Sequence, residues 1–298
     1  MIRTRGLIKR YGTHAALDGV DLSVPAGSVY GLAGPNGAGK TTLLGILAGL
    51  KESTEGEVAV EAAPGEIAVL PDTPRFDPWL TGREVVALAL TLGSKDRAST
   101  PGDDAERVEE VLAQSGLSEA SSRHCGGYSR GMLQRLGIAC TLVARPTLIL
   151  LDEPASALDP QGRREVLDLI RTLRGQATVL FSSHILGDVQ EVCDTVGILH
   201  RGRLLFQGPL SDLLVGRAVP RYVVRVRSNA APIAAALERS EWVRSASATE
   251  GGVIHLEVTS LDEAERLLPS ALAAAGGAVV SLGPEEVSLE RAFLELTS

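Results

Sequence analysis

Apolar and polar positions change period along the chain, and each change marks an element. Residues 2 to 8 and 19 to 33 carry short β-branched or alternating runs broken by Gly and Pro. Val20-Asp21-Leu22-Ser23-Val24 and Ser28-Val29-Tyr30-Gly31-Leu32 are examples, and such runs predict strands. Beyond Gly34 to Gly39 the apolar residues fall at Leu43, Leu44, Ile46, Leu47 and Leu50, a spacing that predicts a buried helix. Residues 82 to 145 read as a helical insertion, interrupted by a polar loop from Ser94 to Asp104. The chain then returns to strand, helix and strand at Leu148 to Leu151, Arg163 to Leu173 and Thr178 to Phe181, with further strands at Val196 to Leu199 and Leu204 to Phe206. This alternation implies an α/β fold with a parallel-containing sheet and helices on its faces.

Near Pro209 to Pro220 the pattern changes. The order from Tyr222 is strand (222 to 227), helix (230 to 240), strand (242 to 248), strand (253 to 259), helix (261 to 275), strand (278 to 282) and a short helix from Ser288. That is the split β-α-β order of a ferredoxin-like α+β unit. Two domains are therefore expected, residues 1–216 and 217–298, which suits a length of 298 residues.

Composition removes several classes of function. With 29 Lys+Arg against 37 Asp+Glu the formal charge is −8, which argues against a nucleic-acid partner. No stretch approaches the ~18 apolar residues that span a bilayer, and Met1-Ile2-Arg3-Thr4-Arg5 leads into no apolar signal region, so neither a transmembrane segment nor a signal peptide is expected. Cys125, Cys140 and Cys193 are odd in number and form no C-x-x-C pair, which predicts buried thiols rather than disulfides or zinc ligands.

Chemistry enters at Gly34-Pro35-Asn36-Gly37-Ala38-Gly39-Lys40-Thr41, which fits G-x-x-x-x-G-K-S/T after a strand and before a helix. Its glycines let successive backbone N–H groups turn inward as an anion nest, and the helix opening near Lys40 adds its N-terminal partial charge. Lys40 reaches the β- and γ-phosphates in such a loop, Thr41 offers a hydroxyl to Mg²⁺, and the Thr42 N–H meets the α-phosphate. The apolar run Leu148-Ile149-Leu150-Leu151 ends in Asp152 and Glu153. Asp152 can hold Mg²⁺ through a water, and Glu153 can polarise an attacking water as general base. Two acids after a strand could also be a solvated turn; the phosphate loop upstream reverses those odds.

With these motifs in this order, residues 1 to about 215 resemble the nucleotide-binding subunit of an ABC transporter. The resemblance implies a P-loop NTPase cassette, with a RecA-like mixed-sheet core, an antiparallel β subdomain and a helical insertion over about 73–145. Tyr128-Ser129-Arg130-Gly131-Met132, before Gln134-Arg135, stands where the family places its signature segment, and Gly126-Gly127 is a decoy. Ser129 is a natural N-cap for a helix running to Ala144. By resemblance, Ser129 and Gly131 face ATP held on an opposing subunit. Ser156-Ala157-Leu158-Asp159 resembles the D-loop that crosses the dimer interface. His184 resembles the switch histidine, and Tyr11 the aromatic that stacks on adenine.

One position departs from the family pattern. After Ile67-Ala68-Val69-Leu70-Pro71 the family places a glutamine, and here the residue is Asp72. A carboxylate ligates Mg²⁺ harder than an amide but cannot donate a hydrogen bond. Retained Mg·ATP binding with altered hydrolysis or coupling is the expectation.

The resemblance implies ATP and Mg²⁺ as cofactors, a second cassette as partner, and a separate transmembrane permease that holds the chain at the cytoplasmic face of the membrane. Thr73 to Leu80, with Phe76 and Trp79, would receive the permease or else anchor the helical insertion. The tail, through Ser288-Leu289-Glu290-Arg291-Ala292-Phe293-Leu294-Glu295-Leu296, resembles the extension of ABC-2-type exporter subunits. An energising ATPase for export is the leading expectation. A soluble ABC ATPase acting on ribosomes or DNA, and a nucleotide-responsive module with weak turnover, remain as alternatives.

Overall fold

The computed structural model describes residues 1–93, 100–156, 158–215, 221–249, 251–285 and 289–297. Two compact units result: Met1–Leu210 together with the closing stretch from Phe293, and Ser211–Ala292.

The first unit opens with β1 (Ile2–Tyr11), β2 (His14–Val20) and β3 (Ser23–Val24). Next, β4 (Val29–Ala33) runs through the phosphate loop into α1 (Lys40–Leu47), followed by β5 (Glu55–Val60) and β6 (Ile67–Leu70). Three helices come next, α2 (Gly82–Gly93), α3 (Pro101–Gln114) and α4 (Arg130–Val143). The chain returns through β7 (Leu148–Asp152), α5 (Pro160–Thr172), β8 (Thr178–Ser183), α6 (Leu186–Val192), β9 (Thr195–His200) and β10 (Arg203–Pro209).

Two sheets share one core. The larger has six strands in the order β10-β9-β4-β8-β7-β6, parallel throughout except for the β10–β9 pair. The smaller pairs β1 with β2, β3 and β5, all antiparallel. Every residue of β4, β7 and β8 is buried, as expected for central parallel strands covered by helices on both faces. Leu43 and Leu47 of α1 pack between the sheets against Leu17, Leu32, Leu150 and Leu199. The α/β architecture with a mixed sheet, an antiparallel β layer and a helical insertion is the one expected from the sequence.

Several details differ from the sequence reading. Leu50 lies outside α1 and is 72% exposed. The helix stops because Gly49 takes a left-handed φ of 70°, with Gly49 N–H donating to the Ile46 carbonyl and Leu50 N–H to that of Gly45. That pair of bonds is a Schellman termination. Part of the expected polar loop is helix: Thr100 and Asp103 cap each other's backbone N–H groups and start α3 at Pro101. Residues 94–99 of that loop lie outside the described residues. Strands β2 and β5 and helix α6 were not separated by hydrophobic period alone. Ser129 does cap α4, accepting from Met132 N–H at 3.2 Å, and Ala144 closes the helix.

The second unit opens with α7 (Leu210–Val215), whose first residue belongs to the first unit, and continues through β11 (Arg221–Val226), α8 (Ala230–Leu237), β12 (Val243–Thr249) and β13 (Val253–Val258). It ends with α9 (Leu261–Ala274), β14 (Val279–Pro284) and α10 (Leu289–Thr297), whose C-terminal half belongs to the first unit. Ser288, the expected start of the last helix, lies outside the described residues. The strands form one antiparallel sheet in the order β12-β13-β11-β14. Alternation along β11 and β13 sends Tyr222, Val224, Ile254 and Leu256 to one core with Ile233 of α8 and Leu268 of α9.

Candidate functional site

Close backbone packing shapes the phosphate loop. A Cβ at Gly34 would sit 2.2 Å from the Leu199 carbonyl oxygen, and one at Gly39, where φ is 109°, would sit 2.5 Å from that of Ala16. Only glycine fits at either place. The loop delivers the chain to Lys40 at the start of α1, where first-turn N–H groups have no acceptor within the helix and can face an anion.

Lys40 folds back over the loop. Its Nζ donates to the carbonyls of Gly34 at 2.7 Å and Pro35 at 3.2 Å, and it pairs with Glu153 Oε1 at 3.2 Å. Glu153 follows β7 with φ at 50°, a left-handed conformation that a non-glycine residue adopts at some cost. Its second oxygen meets His184 Nδ1 at 2.7 Å. Because a carboxylate accepts only, Nδ1 carries the proton in that bond. Asp152 is buried at the end of β7, and its Oδ1 accepts from Ser182 Oγ at 2.6 Å. The Ser182 hydroxyl also accepts the Glu153 N–H at 3.0 Å, so a single hydroxyl on β8 orients both acids.

Lys40, Glu153 and His184 border a cleft of about 500 Å³. Of the residues singled out in the sequence, Tyr11, Asn36, Gly37, Ala38, Gly39, Lys40, Thr41, Thr42, Asp72, Glu153 and His184 line it together. Gly34 and Pro35 lie behind it as the carbonyl anchors of Lys40, and Asp152 sits beneath, tied to Ser182. Ser129, Gly131 and Asp159 do not line it. Ser129 caps α4, and a Cβ at Gly131 would lie 3.1 Å from Leu158 Cδ2. Asp159 caps α5 through Gly162 N–H at 2.8 Å. Ala157 lies outside the described residues.

Ser156 of the segment resembling the D-loop also lines the cleft, its Oγ 3.5 Å from Asp72 Oδ1, and the sequence reading missed three lining or supporting residues. His14 and Ala16 enter because the two-residue turn after Tyr11 brings β2 alongside β1, with Tyr11 directly opposite His14. Ser182 is one of three buried hydroxyl residues of β8, with Thr178 and Ser183, and nothing in the sequence singles it out from them. Among the described residues no cluster of three or more His, Cys, Asp or Glu side chains is placed to hold a metal alone. Thr41, Asp72 and Asp152 are hard oxygen donors of the kind Mg²⁺ takes when phosphate completes its shell.

A strand, a glycine loop that opens a helix, and an acid pair on a parallel strand separated from the first by β8 together define a P-loop nucleotide-binding protein. The family described as ABC transporter matches residues 17–156. The ABC transporter ATP-binding protein YxlF of Bacillus subtilis is 41% identical over 220 residues, covering 72% of this chain and 72% of that one. The daunorubicin/doxorubicin resistance ATP-binding protein DrrA of Streptomyces peucetius is 35% identical over 266 residues, covering 85% and 77%. The solved dimeric structure of MJ0796, a bacterial ABC transporter cassette, overlays with a TM-score of 0.66 at 26% identity, covering 70% of this chain and 99% of that one. The chain belongs to the ABC transporter family as an ATP-binding subunit, and its enzymatic class is that of the ABC ATPases. Among the described residues no helix is long and apolar enough to cross a membrane.

Proposed function

We propose that this chain is the ATPase of an exporter, pairing with a second cassette around ATP and working through a separate permease at the cytoplasmic face of a membrane. Lys40 and the loop N–H groups bind the β- and γ-phosphates, and Tyr11 stacks on the base. Thr41, Asp152 and Asp72 would hold Mg²⁺, which supplies charge neutralisation to the phosphates when bound. Glu153 takes a proton from the attacking water, and His184 holds that carboxylate in place. Ser129 and Gly131, remote from their own subunit's cleft, serve the partner's nucleotide, and Asp159 borders the joint. Positioning and charge stabilisation carry the reaction, with little covalent work for the protein.

The observation that carries this reading is the linked Lys40–Glu153–His184 arrangement at the mouth of the phosphate loop. An export role is supported by relatives such as DrrA, whose name denotes drug resistance. Surface features support a permease contact. Trp79 is 80% exposed and so does not anchor the helical insertion, while Phe76 lines a groove of about 300 Å³ bordered by β6, α2 and α4. The second unit is read as a ferredoxin-like accessory domain on the strength of its sheet order. Copurification from membranes with a multi-span protein, lost on Trp79→Asp, is the test; a ribosome- or DNA-bound chain would refute the proposal.

A further inference from the structure

We propose that the Arg163–Asp188 ion pair is a positioning element that holds the D-loop helix and the switch-histidine helix in one register, setting ATP turnover rather than ATP affinity. The inference rests on the roles given above to Glu153 and His184. Arg163 lies one turn beyond Asp159, the N-cap of α5, and Asp188 lies one turn beyond His184 in α6. The two side chains meet between the helices: Nε and Nη2 of Arg163 stand 2.6 and 2.5 Å from Asp188 Oδ1.

Asp188 is 3% exposed, which is rare for a carboxylate. Burial pushes its pKa up, Arg163 pulls it down, and the charges of Glu191 and Glu153 act in the same sense as burial. A carboxylate in that setting stays where its guanidinium is, because separation would strand a charge away from water. The pair therefore has one arrangement. On the sheet side α6 has no slack either, since Val189 Cγ1 would lie 2.4 Å from a Cβ at Gly31 of β4. A second link between the two helices, Arg171 to Glu191 at 3.1 Å, has both side chains largely exposed and lies near their C-terminal ends. It offers an internal control.

The phosphate loop and Tyr11 sit on other elements, so loss of the pair should leave ATP binding intact. The experiment measures kcat and KM for ATP in the full chain. Arg163→Gln and Asp188→Asn should lower kcat about ten- to a hundredfold, the scale of a misplaced catalytic group. KM should stay within about twofold, the signature of an interaction needed only for turnover. Asp188→Glu should recover part of the lost kcat, and Arg171→Gln should change neither constant. Because single variants can unfold, the double substitution Arg163→Met with Asp188→Leu replaces the pair by packed apolar groups. That protein should melt no lower than wild type and still turn over slowly. Wild-type kcat in the folded double variant would overturn the proposal, as would KM rising in step with the loss or an equal loss in Arg171→Gln. His184→Ala separates the layers. Full turnover there removes the underlying reading and this inference with it, whereas loss in His184→Ala beside full turnover in Asp188→Asn removes the inference alone.

Discussion

Lys40 and Glu153 are paired at the mouth of the phosphate loop, with Nζ 3.2 Å from Oε1 and exposures of 6% and 12%. His184 holds the other glutamate oxygen. Each oxygen of Glu153 thus faces a basic side chain, Oε1 through an ion pair with Lys40 and the other through a hydrogen bond with His184. In the proposed reaction a γ-phosphate would compete for Lys40 and leave Oε1 free to accept from water. On that proposal, substrate binding and release of Glu153 from Lys40 are one event.

Replacing Glu153 by Gln keeps the size of the side chain and an acceptor for Lys40 or His184 but removes the base. Turnover should fall by at least about a hundredfold, the usual contribution of a general base. ATP should still bind and accumulate in a closed dimer, visible by gel filtration with Mg·ATP. Wild-type turnover by this variant would refute the assignment of Glu153.

Ser182→Ala removes the hydroxyl that orients both Asp152 and the Glu153 backbone. The methyl leaves a buried carboxylate one donor short and releases the residue with the left-handed φ. We expect kcat to drop about tenfold, as for a positioned group allowed to drift. Thr should rescue more than Ala does. If Ala and Thr both turn over at the wild-type rate, the bridge has no catalytic weight.

Much of this was legible because motifs of local geometry announce themselves. The phosphate loop, the acid pair after β7 and the Ser129 cap are each set by neighbours within a few residues, so period and spacing suffice. The cassette resemblance then supplied His184 and Tyr11. What stayed hidden depends on contacts between distant segments. Ser182 reaches Asp152 only because β8 pairs with β7 in that register. Arg163 and Asp188 have no sequence signature of partnership at all. Leu50 was misassigned because its spacing continues the helix period while Gly49 ends it. Strand β5 is almost wholly exposed and shows no buried face to read.

Asp72 lines the cleft where the family pattern has glutamine, and its oxygens lie near Ser156 and Thr73 hydroxyls at 3.5 and 3.4 Å. A carboxylate there adds a negative charge to a site that must accept a triphosphate, and Mg²⁺ is its natural compensation. Asp72→Gln should raise the Mg²⁺ concentration needed for half-maximal ATPase activity and alter kcat. A Mg²⁺ titration with unchanged midpoint and unchanged turnover would sink the idea that Asp72 ligates the ion.

The thiols offer a probe of unfolding. Burial pushes Cys140 up to about 12 and raises Cys125 and Cys193 as well. The thiolate is the reactive form, so at about pH 8 the native protein should label slowly with an aromatic disulfide reagent. Denaturant should expose all three thiols. Cys140 is only half-buried, so rapid labelling of Cys125 or Cys193 in the native chain is the result that would contradict the burial.

Tyr11 distinguishes a ligand contact from a core contact. It is 48% exposed, and the ammonium of Lys9 stands 5.1 Å from the ring centroid, covering one face by a cation–π contact. The opposite face is the one available to a flat base. Aromatic stacking on a base contributes about 1–3 kcal/mol, so Tyr11→Ala should weaken ATP binding by that amount while leaving the thermal midpoint unchanged. Tyr11→Phe should bind almost as wild type, because the stack uses the ring rather than the hydroxyl. Inorganic tripolyphosphate, which lacks a base, should bind wild type and Tyr11→Ala equally. A matching loss of tripolyphosphate affinity would mean that Tyr11 shapes the phosphate loop, and a lowered melting temperature would assign it to the core.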